Sequence, residues 1–131
     1  MSNLPPQIRI RSLTNQALIA DKCIVAKSFW TRLRGLIGRK VLSPGEAMLF
    51  PACNDIHMWF MSIPIDVVFI RQVKPSEKGG RPGWRVSSTR SGVRPWRALP
   101  LRDGKATETL ELPVGTIERC GLREGDELCI D

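Results

Sequence analysis

The sequence predicts a mainly β domain of the β-rich α+β kind: a curled or barrel-like antiparallel sheet with two short helices. Three observations predict it. Several short runs alternate apolar and polar residues, the period of a half-buried strand. Eleven glycines and ten prolines in 131 residues supply turns for many short elements. Only two stretches carry a helical period. A chain of this length, 42% hydrophobic and 25% charged, suits one domain over residues 1–131 that needs no metal or disulfide to hold its core.

The elements follow in order. Gln7 to Arg11 sets Ile8 and Ile10 against Arg9 and Arg11, a strand, and Asn15 marks a turn into a second strand over Ala17 to Ala26. Phe29, Trp30, Leu33, Leu36 and Ile37 share one helical face, with Ser28 as N-cap and Gly38 after the last turn. Ser43-Pro44-Gly45 is a turn, and Ala47 to Phe50 a strand that Pro51 interrupts. Cys53 to Met61 and Pro64 to Gln72 read as two β runs divided at Pro64, which cannot sit in a paired strand interior. The nearly unbroken apolar run Asp66-Val67-Val68-Phe69-Ile70 predicts a central strand. A polar Gly/Pro loop over residues 74–83 separates it from a returning strand, Trp84 to Thr89, and a further loop covers Ser91 to Pro100. Thr107 to Leu112 alternates as a strand. Pro113 suits the first position of a short helix that carries Val114, Ile117 and Cys120 and closes at Gly121. Gly125-Asp126 turns into a last strand whose Leu128 and Ile130 face the core.

Charge is concentrated. Arg71 to Lys105 holds ten Lys/Arg against Glu77 and Asp103, whereas the rest of the chain is close to neutral. Arg85, Arg90, Arg94 and Arg97, interleaved with Trp84 and Trp96, are the candidate anion-binding set for nucleic acid or another anionic surface. No nucleic-acid motif accompanies them, and a basic, solvated loop is the plainer account.

Chemistry concentrates between Cys53 and Ile70, which holds the single histidine, His57. Cys53 and His57 are the weak candidates for a catalytic nucleophile and base, with Asn54, Asp55 or Asp66 to orient the ring. In an extended segment the two would lie roughly 13 Å apart, so pairing requires a bend. Cys53, Asn54, His57, Trp59 and Asp66 form the candidate ligand-binding set; core packing competes for each, and Asp66 suits backbone or arginine hydrogen bonds. No CxxC spacing and no second histidine builds a metal site, and no cofactor is implied. The first residues contain no apolar signal core and no run is long enough to span a membrane, so a cytoplasmic protein with reduced cysteines is expected.

An ordered series of motifs resembles a known family. Gly35-Leu36 and Gly38-Arg39 come first, followed by Gly45-Glu46-Ala47-Met48-Leu49-Phe50. Then come Ile56-His57, Met61, Ile65-Asp66-Val67-Val68-Phe69 and Pro95-Trp96-Arg97, with Leu110-Glu111-Leu112-Pro113-Val114-Gly115 and Gly125-Asp126 closing the series. Over about residues 17 to 130 this is similar to the prokaryotic family known as domain of unknown function 192. Trp59-Phe60 stands where a Phe-Gly pair is usual in the most similar branch, and the 74–83 loop is extended. The resemblance implies a small β-rich fold and brings no established activity, substrate or catalytic residue. Three functions are therefore carried forward: a binding domain for a small molecule, peptide or protein, with a pocket around Cys53 to Asp66; a cysteine-dependent hydrolase or transferase using Cys53 and His57; and a nucleic-acid or anionic-surface binder through Arg71 to Lys105.

Overall fold

Short β-branched and aliphatic runs separated by Gly, Pro and Asn turns cannot each bury an apolar face alone, and here they do so by closing on one another. The structure, a computed structural model, describes residues 7–26, 42–53, 55–56, 63–74, 83–94 and 101–131. Its strands are β1 (Gln7–Ser12), β2 (Leu18–Val25), β3 (Glu46–Phe50), β4 (Asp55–Ile56), β5 (Ile65–Val73), β6 (Gly83–Val93), β7 (Leu101–Arg102), β8 (Glu108–Pro113) and β9 (Glu127–Ile130), with helix α1 (Thr116–Cys120) between β8 and β9. Seven strands form a closed barrel in the order β1-β2-β3-β8-β5-β6-β9, with β9 pairing back onto β1; β4 and β7 make a separate two-stranded ribbon.

The mainly β, barrel-like expectation stands, and β5 is central, between β6 and β8. Some details change. The barrel is not wholly antiparallel: β2 and β3 run parallel, with Lys22 opposite Glu46 and Val25 opposite Leu49. A parallel pair needs a long connection, and twenty residues separate Val25 from Glu46 in sequence. β6 runs on through Ser91 to Val93, where a loop was expected, because Val93 pairs with Ile65 past an irregularity at the left-handed Gly92. Pro113 ends β8 instead of starting the helix, which begins at Thr116 after the left-handed Gly115. The expected helix over Phe29 to Ile37 lies outside the described residues, as does most of the expected strand Cys53 to Met61, of which β4 is described.

The barrel wall has two unlike sides. β1 alternates exposed and buried residues, so water covers its outer face. In β5 the residues from Ile65 to Ile70 are all buried, and in β8 all six are. Ile8, Ile10, Val68, Ile70, Leu110 and Leu112 belong to the interior cluster, closed at one end by Ile117, Cys120 and Leu122 of and beside α1. Met48, Phe50, Ile65, Val67, Phe69 and Leu101 belong to a second cluster on the outer face of β3, β8 and β5. The wall is thus packed on both sides there, as the unbroken apolar run in β5 requires.

Candidate functional site

Asp66 sits where β5 begins, on the same side of the strand as Val68 and Ile70, and points to the end of the barrel that α1 closes. Its Oδ1 accepts from the Gly92 N–H at 2.8 Å, and its Oδ2 accepts from the N–H groups of Gly115 at 3.0 Å and Ile117 at 2.9 Å. Helix α1 has no local side-chain cap, so a carboxylate from a distant strand satisfies its first amides. At the other end of the helix, Asn15 Nδ2 donates to the Cys120 carbonyl at 2.7 Å, tying the β1–β2 turn to it.

Cys53 lies on the other side of the wall. Its N–H donates to the Thr107 carbonyl at 3.0 Å, its own carbonyl accepts from Thr109 Oγ1 at 2.8 Å, and its side chain packs on the outer cluster. Pro51 and the left-handed Ala52 make the turn that brings the chain back onto β8 at this point. Cys53 and Asp66 therefore belong to opposite faces and are not brought together. Asn54, His57 and Trp59 lie outside the described residues.

The outer face carries an acidic residue that reading along the chain missed. Glu111, on β8, is opposite Met48 of β3 on one side and Val67 of β5 on the other. It is only 4% exposed, and its Oε2 has no hydrogen-bond partner among the described residues. Burial pushes its carboxyl up to about 8. The neighbouring polar groups are engaged elsewhere. Thr109, the next outward residue on β8, gives its hydroxyl proton to Cys53. Arg90, opposite Val67, holds its guanidinium 5.6 Å from the centroid of the Phe69 ring. Asp103 is partly shielded from water, which alone would raise its carboxyl. Hydrogen bonds from Ser88, at 2.6 Å, from Ser87 and from the Lys105 N–H, with the Arg90 charge, prevail and hold it low. The alternation of Thr107 to Leu112 reads as a strand with one polar face and gives no hint of this burial. The hint lay in the partner strand: a run such as Val67-Val68-Phe69 needs cover on both faces, and Glu111 is in register with it.

Of the arginines singled out for anions, Arg85 is ion-paired to Glu127 at 3.1 Å and Arg90 is stacked as described, while Arg94 is exposed; Arg97 lies outside the described residues. Arg85 and Arg90, five residues apart on β6, are separated by roughly 15 Å. Trp84 is partly buried against the interior cluster and donates its indole N–H to Glu108 at 2.7 Å. All four cysteines are thiols, and burial pushes the Cys23 thiol up to about 12 and raises that of Cys120. Among the described residues no group of three His, Cys, Asp or Glu could hold a metal ion, and no helix is long and apolar enough to cross a membrane.

Comparison with known proteins agrees with the fold. Residues 11–130 match the model of the DUF192 family, described as "Uncharacterized ACR". A UPF0127 protein of Thermococcus sibiricus (strain DSM 12597 / MM 739) is 29% identical over 111 residues, 79% of this chain; the chain spans 62% of that relative's length. Two solved structures share the fold. A protein of unknown function from Novosphingobium aromaticivorans DSM 12444 has a TM-score of 0.69 at 21% identity, covering 94% of this chain and 83% of its own. A Sinorhizobium meliloti 1021 protein described as a "putative transcription regulator" has 0.71 at 22%, covering 94% and 91%.

Proposed function

Since the chain belongs to the DUF192 family, a membership that carries a fold and no activity, we propose that it is a non-catalytic binding domain whose site lies on the outer wall of the barrel. The site is centred where the half-buried Cys53 is fastened to β8, over the buried Thr109, Glu111, Val67 and Phe69. The observation that carries the reading is Glu111: a carboxyl buried in an apolar layer with an oxygen unpartnered among the described residues. Native interiors rarely keep such a group without a use for it, because an unsatisfied buried acceptor costs about 1–3 kcal/mol. The ligand-binding stretch expected from Cys53 to Asp66 is thereby narrowed at one end. Asp66 serves the fold through three backbone amides, whereas Cys53 serves the outer wall.

The engagement of Arg85 by Glu127 and of Arg90 by Phe69 argues against an anionic polymer as the principal partner. A titration of isotope-labelled protein with a library of small organic fragments, followed through backbone amide resonances, tests the proposal. Binders should shift Cys53, Val67, Thr109 and Glu111 together. Fragments that shift only the β1–β2 surface or the β6 arginines, or a library without binders, would refute it.

A further inference from the structure

Independently of the outer wall, we infer that the open edge of β6 receives an extended, acidic segment of another protein, added to the sheet as a strand. The barrel closes through a short seam. β6 is 11 residues long, yet it pairs with β9 only at Trp84 and Arg85. Val86 then meets the turn before β9, giving its N–H to the Asp126 carbonyl and accepting from the Gly125 N–H, both at 2.8 Å. From Ser87 to Gly92 the side of β6 away from β5 meets no other strand among the described residues. Ser87 to Arg90 are half-buried, and Ser91 and Gly92 are exposed.

The direction of the backbone groups follows from the register. Ile70 turns its carbonyl to the β8 side, where it accepts from the Thr107 N–H at 2.8 Å, and its partner Val86 bonds away from β5. Alternation along β5 then makes Phe69 with Ser88, and Val67 with Arg90, the hydrogen-bonded pairs. Thr89, opposite Val68 between them, turns its N–H and C=O away from β5, to the open edge. Natural edges are blunted by proline or by charges, and Ser87 to Gly92 contains no proline. The cover supplied is Arg90, whose guanidinium donates to the Thr89 carbonyl at 3.2 Å, at the long end for such a bond. An N–H of an added strand can take over that carbonyl and leave Arg90 to a carboxylate of the newcomer.

Charge selects the occupant. Arg71 to Lys105 carries ten Lys/Arg against two acids, and two copies of this chain pairing edge to edge would bring two such segments together. Of the two acids, Asp103 is already engaged by Ser87, Ser88 and the Lys105 N–H. Arg90 at the edge and the exposed Arg94 at its end favour a strand carrying Asp or Glu. The backbone supplies the hold, and the arginines select the sign of charge.

The probe is an end-blocked heptapeptide of alternating Glu and Val, titrated into the labelled full chain at about 50 mM salt and followed by amide shifts and hydrogen exchange. Two controls accompany it: the same peptide with Lys for Glu, and the Glu peptide methylated on every backbone nitrogen. The Glu peptide should shift Ser88 to Ser91 and slow exchange at the Thr89 N–H, and each control should bind at least about tenfold more weakly. Thr89→Pro removes the edge N–H without touching the pairing to β5 and should cost a similar factor; the methylated peptide decides should that variant not fold. The methylated peptide binding equally well would overturn strand addition, and the Lys peptide binding equally well would overturn the acidic assignment. A dimer of the chain in sedimentation with Thr89 already protected would overturn it too, since the edge then belongs to a second copy. No shift along β6 at millimolar Glu peptide would overturn the inference as a whole.

Discussion

Replacing Glu111 by Gln should flatten the pH dependence of stability. In the unfolded chain this carboxyl loses its proton near its ordinary value of 4.5; in the barrel, burial holds the proton until about 8. Between those values the native state binds a proton that the unfolded state has shed, so stability falls as pH rises, by about 1.4 kcal/mol per pH unit. The contribution is fully present below about pH 4.5 and is lost on the way to 8. From pH 5 to pH 8 the loss amounts to roughly 3 to 4 kcal/mol, a large part of the stability of a domain this size. Glu111→Gln keeps the shape and cannot ionise. Its amide adds a constant offset, so the informative quantity is the difference in slope between the two proteins. Urea unfolding at pH 5, 6.5 and 8 and fixed ionic strength measures it. With an m-value of about 2 kcal/mol/M, the midpoint of the parent should fall nearly 2 M further than that of the variant. Curves that run parallel within about 1 kcal/mol would show Glu111 ionising as it does in water, and the buried outer wall as described would be wrong.

Asp66→Asn should destabilise the chain by about 3 kcal/mol, lowering the melting temperature by roughly 10 °C, since an amide turns N–H groups toward donors that a carboxylate satisfies. Faster amide exchange at Gly115 and Ile117 would locate the loss, and a drop below about 2 °C would refute the capping role. Iodoacetamide at pH 8 should label the half-buried Cys53 and Cys129 and spare the buried Cys23 and Cys120 until the protein unfolds, as read by mass spectrometry. Comparable rates at Cys53 and Cys129 are expected of a binding site; a Cys53 faster by two orders of magnitude would revive nucleophilic catalysis with His57. Filter binding of single-stranded DNA should show no retention at about 150 mM salt, whereas tight, salt-steep binding would put the basic stretch from Arg71 to Lys105 back in contention.

Much of the strand layout was legible because local rules decide it. The alternation of Ile8 and Ile10, the punctuation at Pro51 and Gly121, and the apolar run through β5 each depend on a few neighbouring residues, and β1, the end of β3, the close of α1 and β5 lie near their expected places. Pro113 was misplaced for a physical reason: a proline suits the last residue of a strand as well as the first turn of a helix, and its pairing with Ile65 decided between them. The parallel pairing of β2 with β3 was invisible for another, because strand direction follows from where a crossover lands and not from the residues in the strand.

The candidate site divides in the same way. From the residues in order came a chemical inventory: a cysteine, a histidine and an aspartate within one short stretch, and a basic segment after it. Tertiary structure decided which of them share a face. It turned Asp66 inward to three backbone amides, fastened Cys53 to the outside of β8, and paired or stacked Arg85 and Arg90. It also buried Glu111 with an oxygen left unpartnered among the described residues, although an alternating strand presents such a residue as ordinary. Periodicity is a property of one strand, whereas burial depends on what lies against both of its faces.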